Sequence, residues 1–554
     1  MHKFRKENIV SYLALFLISA LLVSCFGYYI SKVSDIMLSG NIEKNYILSF
    51  ILKGALWLIS TFFCFGVSAL VFRLVMRAPQ LPQFLKVKVN WKHFILVLIL
   101  FYIIAFVRYR FIGIPDFLAY GDQVSYWTNV DFWQDGHFSM ADYIIKINYS
   151  FRGVYCLVPA NIAQLLGNWF RIDPLYFYFG ITTFFSALLV CYIIPALYNS
   201  LSNRTCELWQ MFVFLALFLI FWNWMLVNVL SDLFGITFYL AGLVFVLRFN
   251  REKRIHQLIL GVVSLYLAMS FRLTYKYGVY GILLVFATRG LFTLIRSIKA
   301  RDFRAKFGGK KRILRSSLCL FLVVISLLAV SYPQIVYNKS KGHFGITAYD
   351  SKDSVIPGYT LAETSASMAI SSTLVLSPIG FWPDSQIQSI KLSQYKLEDY
   401  LHMDQLMELF MSNPLDTMIY IGKKLFEGFN IQLNAIYLWS SPGALAPVWG
   451  RMVLSFLNYS VIFCCIYSFF KAKYTKEEIL FLILNFVTLI APQLILHIEW
   501  RYFIIGYIGL YYCFIFKFLP LLSANLDEAK AGKFLIRMFG YLYLCFWISQ
   551  SIHA

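Results

Sequence analysis

The stretch "RGLFTLIRSIKARDFRAKFGGKKRILR" (289–315) decides the topology of this chain. It holds ten lysine and arginine residues against one acid, Asp302, and it separates two apolar runs. Short basic loops of membrane proteins stay on the cytoplasmic side. We therefore place 289–315 in the cytoplasm, and "RFNREKR" (248–254), "KAKYTK" (471–476) and the stretch 73–92 on the same side.

The composition is that of a membrane protein. The chain has 554 residues, of which 60% are hydrophobic and only 14% charged, whereas soluble domains average about 25% charged residues. Its net charge of +21 is concentrated in short loops, so we expect membrane lipids and no nucleic acid as partners. The ten cysteines show no CxxC or Cys/His spacing, which predicts neither a disulfide framework nor a zinc site.

Hydropathy predicts an all-α polytopic membrane protein with about 13 transmembrane helices. The apolar piece 153–169 is treated as an interfacial helix with Pro159 near its middle, because counting it as a span would put 248–254 outside. The predicted spans are 8–30, 47–72, 93–107, 175–198, 208–228, 233–249, 257–271, 277–288, 317–332, 452–470, 479–496, 501–519 and 535–552.

The predicted spans divide the chain into four parts. Two membrane helices occupy 1–92, and a central membrane module covers 93–332 with an acidic outer loop at 108–174. An outer segment follows at 333–451, and 452–554 holds the C-terminal membrane helices. The outer segment is too long for a simple connection, which indicates a structured or functional region.

Part of the outer segment has the pattern of surface helices. The stretch "MDQLMELFMSNPLDTMIYIGKKLFEGF" (403–429) mixes apolar and charged residues as helices lying on a membrane do. This segment is the candidate for binding the acceptor of a reaction at the outer face.

The acidic loop contains "GIPDFLAYGDQVSYWTNVDFWQDGHF" (113–138), with four aspartates among aromatic residues directly after an apolar run. Ionisable groups held at the membrane surface are functional candidates. Asp122 stands out, because Tyr126 would share its face in a helix. Asp122 can also be the N-cap of that short helix.

Several motifs resemble one enzyme family. "GDQVSYWTNVDFWQDGHF" (121–138) resembles the first outer loop of GT-C glycosyltransferases, such as the aminoarabinose and protein O-mannosyl transferases. "VLSDLFGITFYLAGLVFVLRF" (229–249) is similar to the family's second acidic position, here Asp232. "AMSFRLTYKYGVYGILL" (268–284) is similar to its outer basic turn, and "HIEWRYFIIGY" (497–507) to its late Glu-x-Arg-Tyr element.

The resemblance implies that Asp122 and Asp232 are catalytic. It makes Asp122 the general base near the acceptor, a role typically worth about 10²–10⁴-fold in rate. Asp232 follows a serine, which is also an ordinary helix start. The family's usual acidic pair is here Asp122–Gln123, which disfavours a metal held by two adjacent carboxylates. No cofactor is therefore assigned, and Mg²⁺ or Mn²⁺ is the candidate divalent cation.

Cations at the outer ends of spans are implied to bind the leaving phosphate. Arginine suits phosphate because its planar fork donates two parallel hydrogen bonds. The alternative is that these side chains only extend to the membrane interface, and that Glu499 and Arg501 form a local surface pair. The predicted substrate-binding set is Tyr126, Arg272, Lys276, His497, Glu499, Arg501 and Tyr502.

The predicted function is transfer of a sugar from a polyprenyl-phosphate carrier to a glycan, lipid or protein acceptor. The predicted location is the cytoplasmic (inner) membrane of a bacterium with the active site on the outer face, and an endoplasmic reticulum enzyme is the alternative. An O-antigen or polysaccharide polymerase or ligase is a second candidate. A lipid-linked glycan flippase or transporter is a third, although the chain shows no internal repeat or matching pair of broken helices.

Overall fold

The protein is all-helical, as predicted, in the part of the chain that the computed structural model describes. The regular structure in this part is helical, and one isolated antiparallel bridge joins Lys88 to Glu207. The described residues are 2–25, 46–77, 86–112, 126–127, 153–299, 310–348, 358–370, 400–431, 448–495, 500–525 and 528–553.

Nineteen α-helices are defined within these ranges. The first ten are α1 His2–Cys25, α2 Tyr46–Arg77, α3 Trp91–Val107, α4 Val158–Phe170, α5 Pro174–Leu188, α6 Ile194–Ser202, α7 Leu208–Trp222, α8 Asp232–Glu252, α9 Ile255–Phe271 and α10 Tyr275–Lys299. The others are α11 Lys310–Ser340, α12 Leu361–Ile370, α13 Met403–Ser412, α14 Pro414–Gly428, α15 Val448–Lys471, α16 Lys476–Asn485, α17 Ile504–Cys513, α18 Leu519–Asn525 and α19 Glu528–His553.

Ten helical stretches in the described residues are long and apolar enough to cross a membrane. Two further predicted spans coincide with shorter apolar helices, Val10–Cys25 and Ile255–Phe271, and the predicted span 277–288 lies inside α10. The chain is thus an integral membrane protein with ten candidate spans. They are Ser49–Leu70, Trp91–Phe111, Pro174–Ser202, Leu208–Leu226, Asp232–Glu252, Ser317–Ser340, Met452–Lys471, Lys476–Leu494, Arg501–Leu522 and Ala531–Ser549.

The apolar piece 153–169 forms a short helix rather than a span. A 3-10 turn, Val154–Leu157, leads into the 13 residues of α4, whereas crossing a hydrocarbon core takes about 20. Pro159 lies in the first turn of α4 and not near the middle of the helix as predicted. A proline is tolerated there because the first N–H groups of a helix have no intrahelical partner.

Two glycines let α8 and α9 pack closely against each other. A side chain at Gly242 would put its Cβ 2.7 Å from Cγ of Leu265, and one at Gly261 would put it 2.9 Å from Cγ2 of Val246. Small residues at such crossings let membrane helices approach closely enough for van der Waals contact along the backbone. This contact fixes the register of the two helices whose ends carry Asp232 and Arg272.

The order of the helices gives the bundle two distinct ends. α8 runs from Asp232 towards the basic loop 248–254, and α9 returns to Arg272. The span that starts at Arg501 follows α16 in the same antiparallel way, after the basic loop 471–476. We call the end with Asp232, Arg272 and Arg501 the site end and the end with the basic loops the opposite end.

A buried ion pair joins α16 to the span Arg501–Leu522 at the opposite end. Glu478, fully buried near the start of α16, accepts hydrogen bonds from Lys517 Nζ at 2.6 Å and from the Tyr512 hydroxyl at 2.6 Å. The backbone N–H of Thr475 donates to the same carboxylate at 2.7 Å and closes a capping box. A buried charge is tolerated when it is paired and hydrogen-bonded in this way.

Candidate functional site

Asp232 starts α8 at the site end and is almost fully buried, with 1% of the residue exposed. Ser231 is its N-cap residue, so the Ser-Asp pair is a helix start as the sequence predicts. The preceding segment leaves α7 through a 3-10 turn, Asn223–Leu226, and is buried as well. Non-helical backbone at the depth of a membrane span is tolerated only where protein covers it or water lines it.

Two arginines from distant parts of the chain meet at Asp232. Arg272 Nη1 donates to Asp232 Oδ1, and Arg501 Nη1 lies 3.6 Å from Oδ2 of the same carboxylate. The ring of Tyr502 lies beside both guanidinium groups, with centroid distances of 4.9 Å to Arg272 Cζ and 5.3 Å to Arg501 Cζ. We call Asp232, Arg272, Arg501 and Tyr502 the cation cluster.

The described side chains of the cation cluster are two guanidinium groups, one carboxylate and one phenol ring. The Arg501 side chain is 4% exposed, while that of Arg272 is 15% exposed. A guanidinium has five N–H donors in a fixed fork. Of the two arginines, Arg272 is therefore the one that a ligand reaches first.

A glycine in α8 makes room for the turn that carries Arg272. Gly235 lies three residues after Asp232 and so on the same helix face. A Cβ at Gly235 would lie 2.8 Å from Cε2 of Tyr275 and 3.6 Å from Cβ of Arg272. The Tyr275 ring stacks on Tyr239 at 5.0 Å, which leaves it little freedom to move aside. Any larger residue at position 235 would press on the Arg272 turn.

The acidic loop reaches the site end through Tyr126. The Tyr126 hydroxyl is hydrogen-bonded to Ser231 Oγ at 2.8 Å, directly beside Asp232 in sequence, and Tyr126 is 2% exposed. The carbonyl of the next residue, Trp127, accepts from Gln164 Nε2 at 3.0 Å. The rest of 113–152 lies outside the described residues, and the predicted base Asp122 falls there.

The chain leaves the acidic loop next to Arg272. A Cβ at Gly153 would lie 2.3 Å from the carbonyl oxygen of Ser270, two residues before Arg272. The N–H of Val154 donates to Gln334 Oε1 of α11 at 2.9 Å, which fixes this exit. Both the described part of the loop and its exit are therefore attached to the elements that hold the cation cluster.

The other predicted binding residues do not join the cluster in the described part of the chain. The Lys276 ammonium lies over the ring of Tyr277, 5.1 Å from its centroid, and makes no ion pair with Asp232. His497 and Glu499 lie outside the described residues, so their predicted roles stay predictions.

Sequence reasoning missed a third arginine at the site end. Arg108 is 6% exposed and donates from Nη1 to Asn223 Oδ1. The predicted span 93–107 stopped just before it, whereas the helical stretch continues to Phe111. An arginine inside a membrane segment is a functional candidate in its own right, and that signal was available in the sequence.

An apolar groove of about 710 Å³ opens among α3, α4, α5, α8 and α9. Its walls are almost entirely aromatic or aliphatic. Two wall residues are close in sequence to the charged ones: Phe234 follows Asp232 by two positions, and Phe271 directly precedes Arg272. The groove is therefore walled in part by α8 and α9, the two helices at whose ends Asp232 and Arg272 lie.

The cation cluster itself is a poor site for a metal. Its one carboxylate already faces two guanidinium groups, which would repel a divalent cation. The described residues contain no group of three or more His, Cys, Asp or Glu side chains that could hold a metal ion. The Mg²⁺ or Mn²⁺ prediction therefore depends on the aspartates of the acidic loop, which are outside the described residues.

Comparison with known proteins leaves the family open. No family model, no curated protein and no solved structure matches this chain. The likeness to GT-C glycosyltransferases stays a prediction from the quoted motifs.

Proposed function

We propose that this chain is a GT-C-type glycosyltransferase that takes a sugar from a polyprenyl-phosphate carrier. One observation supports the proposal: α8 and α9, whose ends bring Asp232 and Arg272 together, also form part of the wall of a large apolar groove. A polyprenyl-phosphate sugar has an anionic phosphate on a long apolar chain. The phosphate fits Arg272, and the first isoprene units fit the wall formed by Phe234 and Phe271.

The proposed face is the outer one, in the cytoplasmic membrane of a bacterium. The basic loops 248–254 and 471–476 lie at the opposite end of the bundle from the cation cluster. Basic loops stay in the cytoplasm, so the site end faces away from it. The acidic loop with Asp122 and the long segment 333–451 then lie on the face where the acceptor is bound.

The proposed chemistry divides the work between two parts of the site. Asp122 accepts the proton of the acceptor hydroxyl or amine while the sugar carbon is attacked. Negative charge builds on the leaving phosphate at the same time, and the fixed guanidinium of Arg272 stabilises it more in the transition state than in the ground state. Asp232, Arg501 and Tyr502 hold that guanidinium in place, because the carboxylate is already engaged by both arginines.

A polysaccharide polymerase or ligase would use the same cluster and groove. Such enzymes act on sugar chains attached to a polyprenyl diphosphate, whereas the proposed enzyme consumes a monophosphate carrying one sugar. The panel of donors in the experiment below therefore includes both classes of lipid.

The test compares wild type with Asp122→Asn in nanodiscs, using radiolabelled polyprenyl-phosphate and polyprenyl-diphosphate sugars with and without membrane glycan extracts. We expect wild type to consume one of the monophosphate donors, and Asp122→Asn to bind that donor while its turnover falls by about 10²–10⁴-fold. The matched control is Asp135→Asn from the same loop, which we expect to keep near-normal turnover. If wild type neither binds nor consumes any monophosphate donor, the proposal is wrong.

The groove makes a separate prediction at Gly180. This residue lines the groove, and a Cβ there would meet no other atom within 4 Å, so a side chain can fill the groove without displacing its wall. We expect Gly180→Phe to weaken binding of a long-chain donor by at least about tenfold, because each excluded CH₂ group is worth about 0.8 kcal/mol. Binding of a donor with two isoprene units should change little.

The control for Gly180→Phe is Gly540→Phe in α19, where a Cβ also meets nothing within 4 Å. Affinities for both donors are measured by titration into nanodiscs. Equal loss of short-chain and long-chain binding in Gly180→Phe would contradict a role of the groove in holding the chain.

A further inference from the structure

Helix α14 has its polar side turned inwards. Lys424 is 2% exposed and Glu427 is fully buried, although both carry a charge. Leu415 is 70% exposed and Met418 71%, and Ile419 is half exposed. A helix on the surface of a water-soluble domain shows the reverse arrangement. The outward face of α14 is therefore built for apolar surroundings.

Helix α13 continues this apolar surface. At about 100° per residue, Met403, Met407 and Met411 follow one another along one side of the helix. Their exposed fractions are 39%, 47% and 76%, while Leu406 and Phe410 next to them are buried in the protein. The apolar residues of α13 therefore extend beyond those that pack against the rest of the protein. Gln405 lies on the opposite side, about 160° around the helix from both Met403 and Met407, and is exposed.

The residues directly after α14 contact side chains that belong to the neighbouring candidate spans. Asn430 is fully buried, accepts from the Tyr459 hydroxyl at 2.7 Å and donates to Ser549 Oγ at 3.0 Å. Tyr459 lies seven residues beyond Met452, the first residue of its candidate span, which is about 10 Å along the helix axis. Ser549 is the last residue of its own candidate span, so the segment after α14 lies between the ends of the spans and about 10 Å into them.

The contacts of Gly428 and Phe429 with Phe503 and Tyr507 indicate a similar position along the neighbouring span. A Cβ at Gly428 would lie 2.3 Å from Cζ of Phe503, so the end of α14 rests directly on this ring. Phe429 packs on Phe503 at 5.5 Å and on Tyr507 at 5.4 Å. Tyr507 is six residues into the span that begins at Arg501, about 9 Å along its axis.

We propose that α13 and α14 are inserted into the membrane at the site end, with their methionine and leucine side chains in contact with lipid. The occupant of this surface is the acyl-chain region of the bilayer. The buried Lys424 and Glu427 face the protein, where polar partners lie, because the lipid on the other side offers none. The inserted pair forms part of the wall around the start of α17, three residues after Arg501.

The test uses spin labels on single cysteines introduced as Met411→Cys, Met418→Cys and, as the matched control on the opposite side of α13, Gln405→Cys. The background carries Cys64→Ala and Cys319→Ala, since these two native cysteines are half-buried while the other eight are buried. Each protein is placed in nanodiscs at one copy per disc. Collision with oxygen, which partitions into lipid, is compared with collision with a water-soluble nickel chelate.

We expect the labels at 411 and 418 to collide mainly with oxygen and the label at 405 mainly with the nickel chelate. If the labels at 411 and 418 collide mainly with the nickel chelate, the surface faces water in the isolated protein and the proposal is overturned. A second copy or a protein partner as the occupant would give that same result, because neither is present in a disc with one copy. The outcome does not depend on whether the chain transfers sugars.

Discussion

Replacing Asp232 with alanine is expected to lower the free energy of unfolding by about 3–5 kcal/mol, because it removes a carboxylate from the buried guanidinium of Arg501 and from the partly exposed one of Arg272. Thermal unfolding in detergent measures this loss. Turnover of the polyprenyl-phosphate donor should disappear in the same variant. The expected effect is large because Asp232 is 1% exposed and faces both arginines.

A triple variant separates stability from function. Asp232→Leu combined with Arg272→Met and Arg501→Met removes all three charges and keeps the volume, which often costs little stability. We expect it to unfold near the wild-type temperature while remaining inactive. If Asp232→Ala alone unfolds like wild type, the ion cluster does not stabilise the site end as described.

Replacing Arg272 with alanine is expected to reduce donor turnover by about 10²–10³-fold, the usual loss when one fixed donor to a developing negative charge is removed. Arg272→Lys should recover only part of the rate, because lysine keeps the charge but lacks the planar fork and the stacking on Tyr502. The measurement is single-turnover release of the labelled sugar, with Arg254→Ala at the opposite end as the control.

Donor affinity is recorded alongside the rate for each Arg272 variant. An unchanged rate in a folded Arg272→Ala protein would mean that this side chain does not meet the leaving phosphate. A loss confined to affinity would instead indicate that Arg272 binds substrate and transition state equally well.

The membrane helices could be predicted from sequence because long apolar runs determine them with little help from tertiary contacts. The start of α8 was also predictable, since Ser231 and Asp232 form a local signal. The contact of both Arg272 and Arg501 with Asp232 was not predictable, because no local sequence pattern indicates that residues so far apart share a partner. The residues of the cation cluster were therefore predicted as separate candidates and not as one cluster.

Other features depend on what surrounds a residue. Arg108 follows an apolar run and so was taken as lying beyond the span, although it is buried against Asn223. The mixed pattern of 403–429 indicated surface helices, yet the direction of their polar sides depends on contacts made by Asn430 and Tyr459. The pattern of charges predicts that a helix is amphipathic. It does not show whether the polar side faces the protein or its surroundings.

Because Arg272 and Arg501 are far apart in sequence, the cation cluster can form only late in the synthesis of the chain. Positions 272 and 501 are 229 residues apart, which a ribosome covers in about 10–50 s at 5–20 residues per second. Until then the nascent chain holds, of the cation cluster, only the Asp232–Arg272 pair. Arg501 arrives with about the last tenth of the protein. Under the proposed function, a chain released before it is expected to have the α8–α9 pair but an incomplete phosphate site.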